Sequence, residues 1–524
     1  MPFPPFAHPA LADAPTDSAW SHFATTAFPG PSRDATTLAI LPVHGFADHG
    51  LGLPLDIEEV IGASILRDAI THSADRVTAR VLPPLRFGLT PYGPALGAPD
   101  PETLHALIRE IALGVKTAGY SKLVFWSTSP WNAEIIDAAS RDTRIELGLQ
   151  TFVIELAGIG LNLHPASGDR TAAQSLGAAL LGVAPAEVSN DQPVAPQDRR
   201  FRPGAWHSSP IVKFDPSIDP VAIRTTAVTS LANLLGEVDA RAPLGSSEHG
   251  QFAPVEFAHM SLPPAVPWPQ GVRSRYLPAL TPADLQAISD KAAALVVIPV
   301  GAIEQHGPHL PVGVDAIIGA GAVAGLVQRL PVDAPIWIGP SVTYGKSNEH
   351  IDYPGTVSIS ARSLRRLLRV LVHDLHGHGF RQFAFLNTHG GNSAVLVYTL
   401  RELQTEFGVR AGMLRVASSP ELSAQESTWG FHAGEWETSI MLTLTPDLVD
   451  MDKAICHYPA HLGDAGQLRP ESAPAIYSWM TRDIASAGVM GDATAASPEK
   501  GQRWFAQAMD QLAAQVMGLT TPSQ

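Results

Sequence analysis

Three groups of polar residues in the second half of the chain have the residue types and spacing of metal ligands. In the first group, Glu304 and His306 are two positions apart, so an extended backbone would direct both side chains to one side. Asp315 belongs to the same group, His389 is the candidate of the second group, and the third group contains His432, Glu435 and Glu437. Because the set combines histidine and carboxylate without any thiol, it is suited to Zn²⁺, Mn²⁺ or Fe²⁺. A lone loop histidine more often only forms hydrogen bonds, but three clusters flanked by glycines favour a shared metal site.

The first two groups follow apolar runs that are predicted to be buried strands. Leu295–Val300 comes directly before the Glu304 group, and Gln382–Asn387 comes directly before His389. Helices are predicted over Ala316–Arg329 and Ser363–His376. Strands that alternate with helices of this length indicate a largely parallel sheet, and ligands bind at the carboxyl ends of such strands. The sequence therefore predicts that these two groups lie where a sheet binds its ligand.

The first half of the chain repeats this pattern. Residues 38–63 align with residues 295–320 at an offset of 257, and residues 119–125 parallel residues 379–385 at an offset of 260. Two blocks in the same order at a nearly constant offset indicate an internal duplication. We therefore predict two homologous α/β domains with largely parallel sheets. They are expected at residues 1–245 and 273–524, joined by a Pro/Gly-rich linker at residues 246–272.

Five motifs in the second half resemble the creatininase (creatinine amidohydrolase) family. In chain order they are G-A-I-E-Q-H-G-P-H-L-P-x-x-x-D, E-H-x-x-Y-P-G-T, N-x-H-G-G-N, H-A-G-E-x-E-T-S and G-x-x-G-D-A-T, within about residues 275–515. The resemblance implies that both halves have a creatininase-like α/β/α fold. It also implies a site for two divalent metal ions that cleaves amide bonds, often in small rings.

The same resemblance implies a ligand set. Glu304, Asp315 and His389 would hold one ion, and Asp315 would bridge to a second ion held by His306 and a further carboxylate. In creatininase itself that carboxylate lies two residues after the histidine of the third motif, where this chain has Gly391.

Glu435 is the predicted replacement for the missing carboxylate. If the segment from Ala433 onward is helical, a spacing of three residues puts Glu435 near His432 on one face. On such a helix Glu437 would point away from the face that carries His432 and Glu435. The resemblance implies that it either lies next to the metal ligands or takes part in proton transfer. His432 matches a family histidine near the substrate and is a candidate general acid, so His432 and Glu437 are the predicted catalytic residues.

The leading interpretation is a metal-dependent hydrolase of a non-peptide C–N bond, an amide or lactam, in a small molecule. Substrate contacts are predicted for His350, Tyr344 and Trp429. One alternative is that the same metals act on another bond, in a formamide, a peptide-like substrate or a cyclic ketone. The other is a non-catalytic ligand-binding scaffold, which the intact set of Glu304, Asp315 and His389 disfavours.

The first repeat has lost most of these ligands. Ala47 stands opposite Glu304, Glu58 opposite Asp315 and Ser129 opposite His389, while His49 persists opposite His306. We therefore predict that the first half binds no metal. Its expected role is structural, pairing with the second half and shaping the mouth of its site.

Composition excludes several classes of function. The 524 residues include 35 Lys+Arg and 50 Asp+Glu, a net charge of −15, which disfavours nucleic-acid binding. The single cysteine, Cys456, excludes an intramolecular disulfide and suits a reducing compartment. The sequence has no apolar run of about 18 residues and no signal-peptide pattern at its start, so neither a membrane span nor secretion is expected. We expect a cytoplasmic protein with a small-molecule substrate, and the resemblance suggests a homo-oligomer.

Overall fold

The molecule is described here from a computed structural model. It covers residues 14–15, 17–50, 52–90, 95–164, 167–183, 217–242, 250, 252–257, 260–263, 268–269, 271–458, 468–469, 475–476 and 478–520. The predicted domain boundary at residue 245 lies outside these residues, and the predicted linker falls only partly within them.

Each half contains a four-stranded sheet in which all strands are parallel. The first sheet has the order β2-β1-β3-β4 and the second the order β6-β5-β7-β8, so the two topologies are identical. The strands are β1 Asp34–Val43, β2 Ala79–Val81, β3 Tyr120–Ser127, β4 Gln150–Glu155, β5 Leu295–Val300, β6 Ile336–Ile338, β7 Gln382–Asn387 and β8 Arg410–Arg415. The central strand β5 is buried along its whole length, as expected for a parallel sheet covered on both faces.

Helices alternate with these strands. In the first half they are α1 Ile57–His72, α2 Pro101–Thr117, α3 Ala133–Leu147, α4 Arg170–Leu181 and α5 Pro220–Asp239. In the second half they are α6 Val272–Arg275, α7 Pro282–Ala287, α8 Val314–Val327, α9 Ala361–Gly377, α10 Ser393–Phe407, α11 Ala424–Trp429, α12 Glu435–Leu444, α13 Thr481–Ile484 and α14 Pro498–Thr520. Short strands β9 Cys456–His457, β10 Leu468–Arg469, β11 Ala475–Ile476 and β12 Gly491–Asp492 complete the described elements.

The predicted fold class of two homologous α/β units is confirmed. Helices α2 and α9, helices α3 and α10, and strands β4 and β8 each begin 260 residues apart. The predicted strands β5 and β7 have the expected bounds, whereas helix ends differ by one or two residues. Helix α9, for example, begins before the expected Ser363 because the Ser360 side chain accepts a hydrogen bond from the Ser363 amide and caps it.

The two halves share one hydrophobic core. Helix α2 packs against its counterpart α9, and a single apolar cluster contains Leu107 and Ile111 from α2 together with Leu367 and Leu371 from α9. No described helix is long and apolar enough to cross a membrane.

Each half also extends a short segment across the other half. In the first strap, residues 20–25, the carbonyls of Ser21 and Phe23 accept hydrogen bonds from the amides of Gly313 (3.1 Å) and Val312 (2.8 Å). In the second strap, residues 277–280, the carbonyls of Pro278 and Leu280 accept from Asp56 (2.9 Å) and Leu55 (3.2 Å). The two sets of residues correspond at the offset of 257, so the contact is reciprocal, as in an isologous dimer.

The first strap contacts two loops at the candidate site, the one that carries Glu304 and His306 and the one that carries His350. Besides residues 312–313, it reaches the loop after His350. The Trp20 indole donates to the Gly355 carbonyl (2.9 Å), and the Thr25 hydroxyl donates to the Pro354 carbonyl (2.7 Å). The approach to Gly313 is so close that a Cβ there would lie 2.4 Å from the Ser21 oxygen. The first half therefore fixes the backbone around the candidate site of the second.

We expect Trp20→Phe to destabilise the protein by about 1–3 kcal/mol, because it leaves the buried Gly355 carbonyl without its donor. The change should appear as a lower Tm in differential scanning calorimetry. Trp337→Phe is the control, since Trp337 is half-buried in β6 and its indole donates no hydrogen bond within the described residues. Equal Tm values for the two variants would show that the strap bond contributes nothing to stability.

Candidate metal centre

The candidate ligands gather at the carboxyl ends of the two central strands of the second sheet. Glu304 and His306 lie in the loop after β5, Asp315 in the first turn of α8, and His389 in the loop after β7. Glu437 reaches the same place from the first turn of α12. The first four side chains are at most 5 % exposed. Ligands of open parallel sheets bind at this edge, and the residues that the sequence placed on separate elements meet here.

One group of three ligand atoms is formed by Glu304, Asp315 and His389. Nδ1 of His389 lies 3.2 Å from Oε1 of Glu304 and 3.5 Å from Oδ2 of Asp315. The other ring nitrogen, Nε2, lies 2.9 Å from the carbonyl of Lys346, which can only accept a hydrogen bond. Nε2 therefore carries the proton in the neutral ring, and the lone pair of Nδ1 faces the two carboxylates, as in many metal-bound histidines.

A second group shares Asp315 with the first. Nε2 of His306 lies 3.6 Å from Oδ1 of Asp315 and 3.9 Å from Oε2 of Glu437. Nδ1 of His306 lies 3.0 Å from the Glu304 carbonyl and donates to it, which again leaves the lone pair of Nε2 facing the carboxylates. The two groups meet at the two oxygens of Asp315, so this carboxylate is placed to contact two adjacent ions.

Unpartnered atoms show that a cation fits this cluster. Oε2 of Glu304, Oδ2 of Asp315 and Nε2 of His306 are buried and have no hydrogen-bond partner among the described residues. Leaving one buried polar atom unsatisfied costs about 1–3 kcal/mol, and more when the group is charged. Three such atoms in one cluster of histidines and carboxylates are a donor set that suits a divalent cation.

Without a metal the carboxylates hold protons on the histidines. Burial lowers the pKa of His306, but Asp315, Glu437 and Glu304 outweigh it and raise the pKa to about 9. His389 is likewise opposed by burial, yet Glu304 and Asp315 raise its pKa to about 10. Burial raises the pKa of Glu437 to about 7. In the metal-free protein, protons on His306 and His389 therefore balance the negative charge of the carboxylates. A bound cation would take over this role.

The structure does not bring Glu435 into this cluster. The assumption of a helix from Ala433 is wrong, because α12 begins at Glu435, after Ala433 at φ 53° and an extended Gly434. Glu435 turns away and accepts a hydrogen bond from Nζ of Lys500 at 2.6 Å. Glu437, which was expected to point elsewhere, takes the place predicted for Glu435.

A buried carboxylate that the sequence analysis missed holds this helix start. Glu426 accepts hydrogen bonds from the amides of Glu435 (3.0 Å) and Asp492 (2.9 Å) and from the Tyr458 hydroxyl (2.7 Å). It lies outside the recognised motifs, so only its three-dimensional contacts reveal it.

Two further histidines border Glu304. Nδ1 of His432 lies 3.8 Å, and Nε2 of His350 3.5 Å, from Oε1 of Glu304, and the two rings stack with centroids 4.4 Å apart. Burial lowers the pKa of both rings well below the usual value, so both are neutral at neutral pH. The side chain of Gln305 contacts both rings (2.9–3.0 Å). Gln305, which stands between Glu304 and His306 in the first motif, was not among the predicted site residues.

The predicted substrate contacts have different outcomes. His350 lies at the cluster, whereas the Tyr344 hydroxyl donates to the Pro83 carbonyl in the first half. Trp429 is half-buried at the end of α11, and its substrate contact stays a prediction. Trp479, which the sequence analysis did not consider, stands edge-on to His350 with ring centroids 6.5 Å apart.

The corresponding place in the first half is closed by a direct hydrogen bond. Nε2 of His49 lies 2.8 Å from Oε1 of Glu58, and the amide of Gly45 donates to Oε2 of Glu58 at 2.6 Å. Glu58 is one methylene longer than its counterpart Asp315 and reaches the histidine directly. Among the described residues, all groups that could hold a metal lie in the second half.

Comparison with known proteins agrees with the duplication. Residues 24–226 and 278–516 both match the creatininase family, described as creatinine amidohydrolase. Mycofactocin precursor peptide peptidase from Mycolicibacterium smegmatis is 35% identical over 215 residues, covering 41% of this chain and 80% of that protein. Creatinine amidohydrolase from Pseudomonas putida is 29% identical over 253 residues, covering 44% and 91%. A solved structure named "Creatininase Mn" is 25% identical, with a TM-score of 0.39, and covers 47% of this chain and 99% of that one.

We expect metal binding to the metal-free protein at pH 8 to release at least about two protons per chain. His306 and His389, with pKa values of about 9 and 10, are protonated at this pH and must lose their protons to become ligands. Calorimetric titration with Zn²⁺ in buffers of different ionisation enthalpy measures the release. His306→Gln should release about one proton fewer, and binding without proton release would contradict the assignment of these histidines.

Proposed function

Because the chain belongs to the creatininase family, we propose that it is a metal-dependent amidohydrolase that cleaves a C–N bond of a small molecule. The observation that carries the proposal is the pair of ligand groups that meet at Asp315. Glu304 and His389 complete one group, and His306 and Glu437 complete the other. Glu304, His306, Asp315 and His389 are buried, and Glu437 is partly buried, at the edge of the sheet where substrates of this architecture bind.

In this proposal Asp315 would be shared by two divalent ions, Zn²⁺, Mn²⁺ or Fe²⁺, one held with Glu304 and His389 and the other with His306 and Glu437. When bound, such ions lower the pKa of water toward neutrality and polarise the carbonyl that it attacks. The protein supplies fixed ligand orientations, since the carbonyls of Glu304 and Lys346 hold the two histidine rings by their remaining N–H groups. The cluster is pre-arranged because its residues stand on the ends of rigid strands and helices.

His432 is the group best placed to move a proton. Its Nε2 lies 2.8 Å from the Gln305 carbonyl, which holds the ring by Nε2–H and leaves the lone pair of Nδ1 facing the centre. With its pKa lowered by burial, the neutral ring can accept a proton at Nδ1 from the attacking water. The imidazolium that forms is then a strong acid beside the leaving nitrogen. Glu437 serves as a metal ligand rather than as this acid.

The substrate is a small amide, and a ring amide is our first choice because of the likeness to creatinine amidohydrolase. A peptide-like amide is the second candidate, since the likeness to a precursor peptide peptidase is higher, at 35% identity. His350 and Trp479 would line the substrate side of the centre. A cytoplasmic location and assembly into a homo-oligomer belong to the same proposal.

The function is tested by hydrolysis assays on protein stripped of metal and reloaded with Zn²⁺ or Mn²⁺. The panel contains lactams, cyclic ureas, imides, formamides and short peptides, and the loss of substrate and the hydrolysed products are measured by mass spectrometry. We expect turnover of at least one class, lost on chelation and restored by metal. A chain that binds metal but cleaves no C–N bond in the panel would favour the alternative of another bond type or a ligand-binding scaffold.

The ligand assignment predicts opposite results for two neighbouring carboxylates. Glu437→Gln should lose one of two metal ions and nearly all turnover, because its carboxylate lies with His306 and Asp315. Glu435→Gln is the matched control and should keep both ions, with a lower Tm because it weakens the bond to Lys500. Metal analysis by mass spectrometry measures both. Metal loss in the Glu435 variant alone would reverse the assignment.

A further inference from the structure

Glu349 and His350 are metal-competent residues that the two-ion centre does not use. Both belong to the short 3₁₀ turn Asn348–His350. With Glu304 they form a third group whose ligand atoms all lie within 4.8 Å of one another. This group lies on the more open side of the cluster, since the side chain of Glu349 is 16% exposed.

The hydrogen bonds of His350 leave one ring nitrogen available. Nδ1 of His350 meets the side-chain amide of Gln305 at 2.9 Å, which donates, and the Thr481 hydroxyl at 2.7 Å, which can donate or accept. Nε2 faces the cluster, 3.5 Å from Oε1 of Glu304. With a cation at Nε2, the Nδ1–H would donate to the Thr481 oxygen, the Thr481 hydroxyl would donate to the Glu349 carbonyl (3.0 Å), and the Gln305 amide has the Gly488 carbonyl (3.1 Å) as an acceptor.

The lack of a side chain at Gly391 leaves room for the Glu349 carboxylate. A Cβ at residue 391 would lie 2.3 Å from Oε1 of Glu349, so a residue with a side chain would displace this carboxylate. Oε1 of Glu349 is 3.8 Å from Nε2 of His389, which already donates to the Lys346 carbonyl. The carboxylate is therefore held beside the cluster, where it forms an ion pair with His389 only while that ring is protonated.

We propose that Glu304, Glu349 and His350 form a third divalent-cation site beside the two-ion centre. It rests on the proposed function because it shares Glu304 with the first ion. The donor set of two carboxylates and one imidazole suits Zn²⁺ or Mn²⁺. This ion binds more weakly than the other two, because Glu349 is partly hydrated and Glu304 is shared. It adds positive charge on the open side of the centre, where an anionic group of a substrate would be held.

Equilibrium dialysis of the full chain against increasing Mn²⁺ or Zn²⁺, with bound metal counted by mass spectrometry, tests the site. We expect two tightly bound ions and a third at higher metal concentration. Glu349→Gln should weaken the third by at least about tenfold and keep the first two. The matched control is Asp352→Asn, which removes an exposed carboxylate three residues along the same loop and should leave all three ions bound.

Three results would overturn the third site. The first is that the wild-type chain binds two ions and no third. The second is that Glu349→Gln does not weaken binding of the third ion. The third is that the Asp352→Asn control weakens it equally. A chain that binds no ion at all would overturn the proposed function as well. The Tm of each variant is measured in parallel, so that loss of metal is separated from loss of fold.

Discussion

The whole site depends on the burial of several carboxylates beside histidines at one sheet edge. Glu304 and Asp315 are almost completely buried, and taking a carboxylate out of water costs several kcal/mol unless an opposite charge compensates it. Hydrogen bonds from the protein do not satisfy these oxygens, since one on each residue has no partner among the described residues. A fold that keeps such a cluster is stabilised by what binds to it, so metal binding and stability are coupled.

The two halves compensate their buried carboxylates in different ways. In the first half a glutamate replaces the aspartate of the second, and the 2.8 Å bond between His49 and Glu58 satisfies both groups internally. The pair of His49 and Glu58 therefore does not depend on a cation to satisfy its buried groups. The strap of the first half at residues 20–25 holds the loops that carry Glu304, His306 and His350, and the reciprocal strap at residues 277–280 holds residues 55–56 of the first half.

Much of this could be predicted from the sequence, because strands β5 and β7 are continuous apolar runs and the duplication fixes the order of elements. Residue spacing marked the candidate ligands next to those strands, and the resemblance to the creatininase family assigned them to two ions. Glu437 was misjudged because the positive φ of Ala433 and the extended Gly434 delay the helix to Glu435, and neither alanine nor the motif signals this. Glu426, Lys500 and Trp479 lie outside the motifs, and their contacts depend on tertiary packing, which residue spacing does not reveal.

Anomalous X-ray diffraction from crystals loaded with Mn²⁺ or Zn²⁺ tests the central claim most directly. The account predicts two strong peaks on either side of the Asp315 carboxylate, one near Nδ1 of His389 and one near Nε2 of His306 and Glu437. It predicts no peak between His49 and Glu58, where the hydrogen bond fills the space. A single peak that Asp315 does not contact, or a peak of equal strength in the first half, would contradict it.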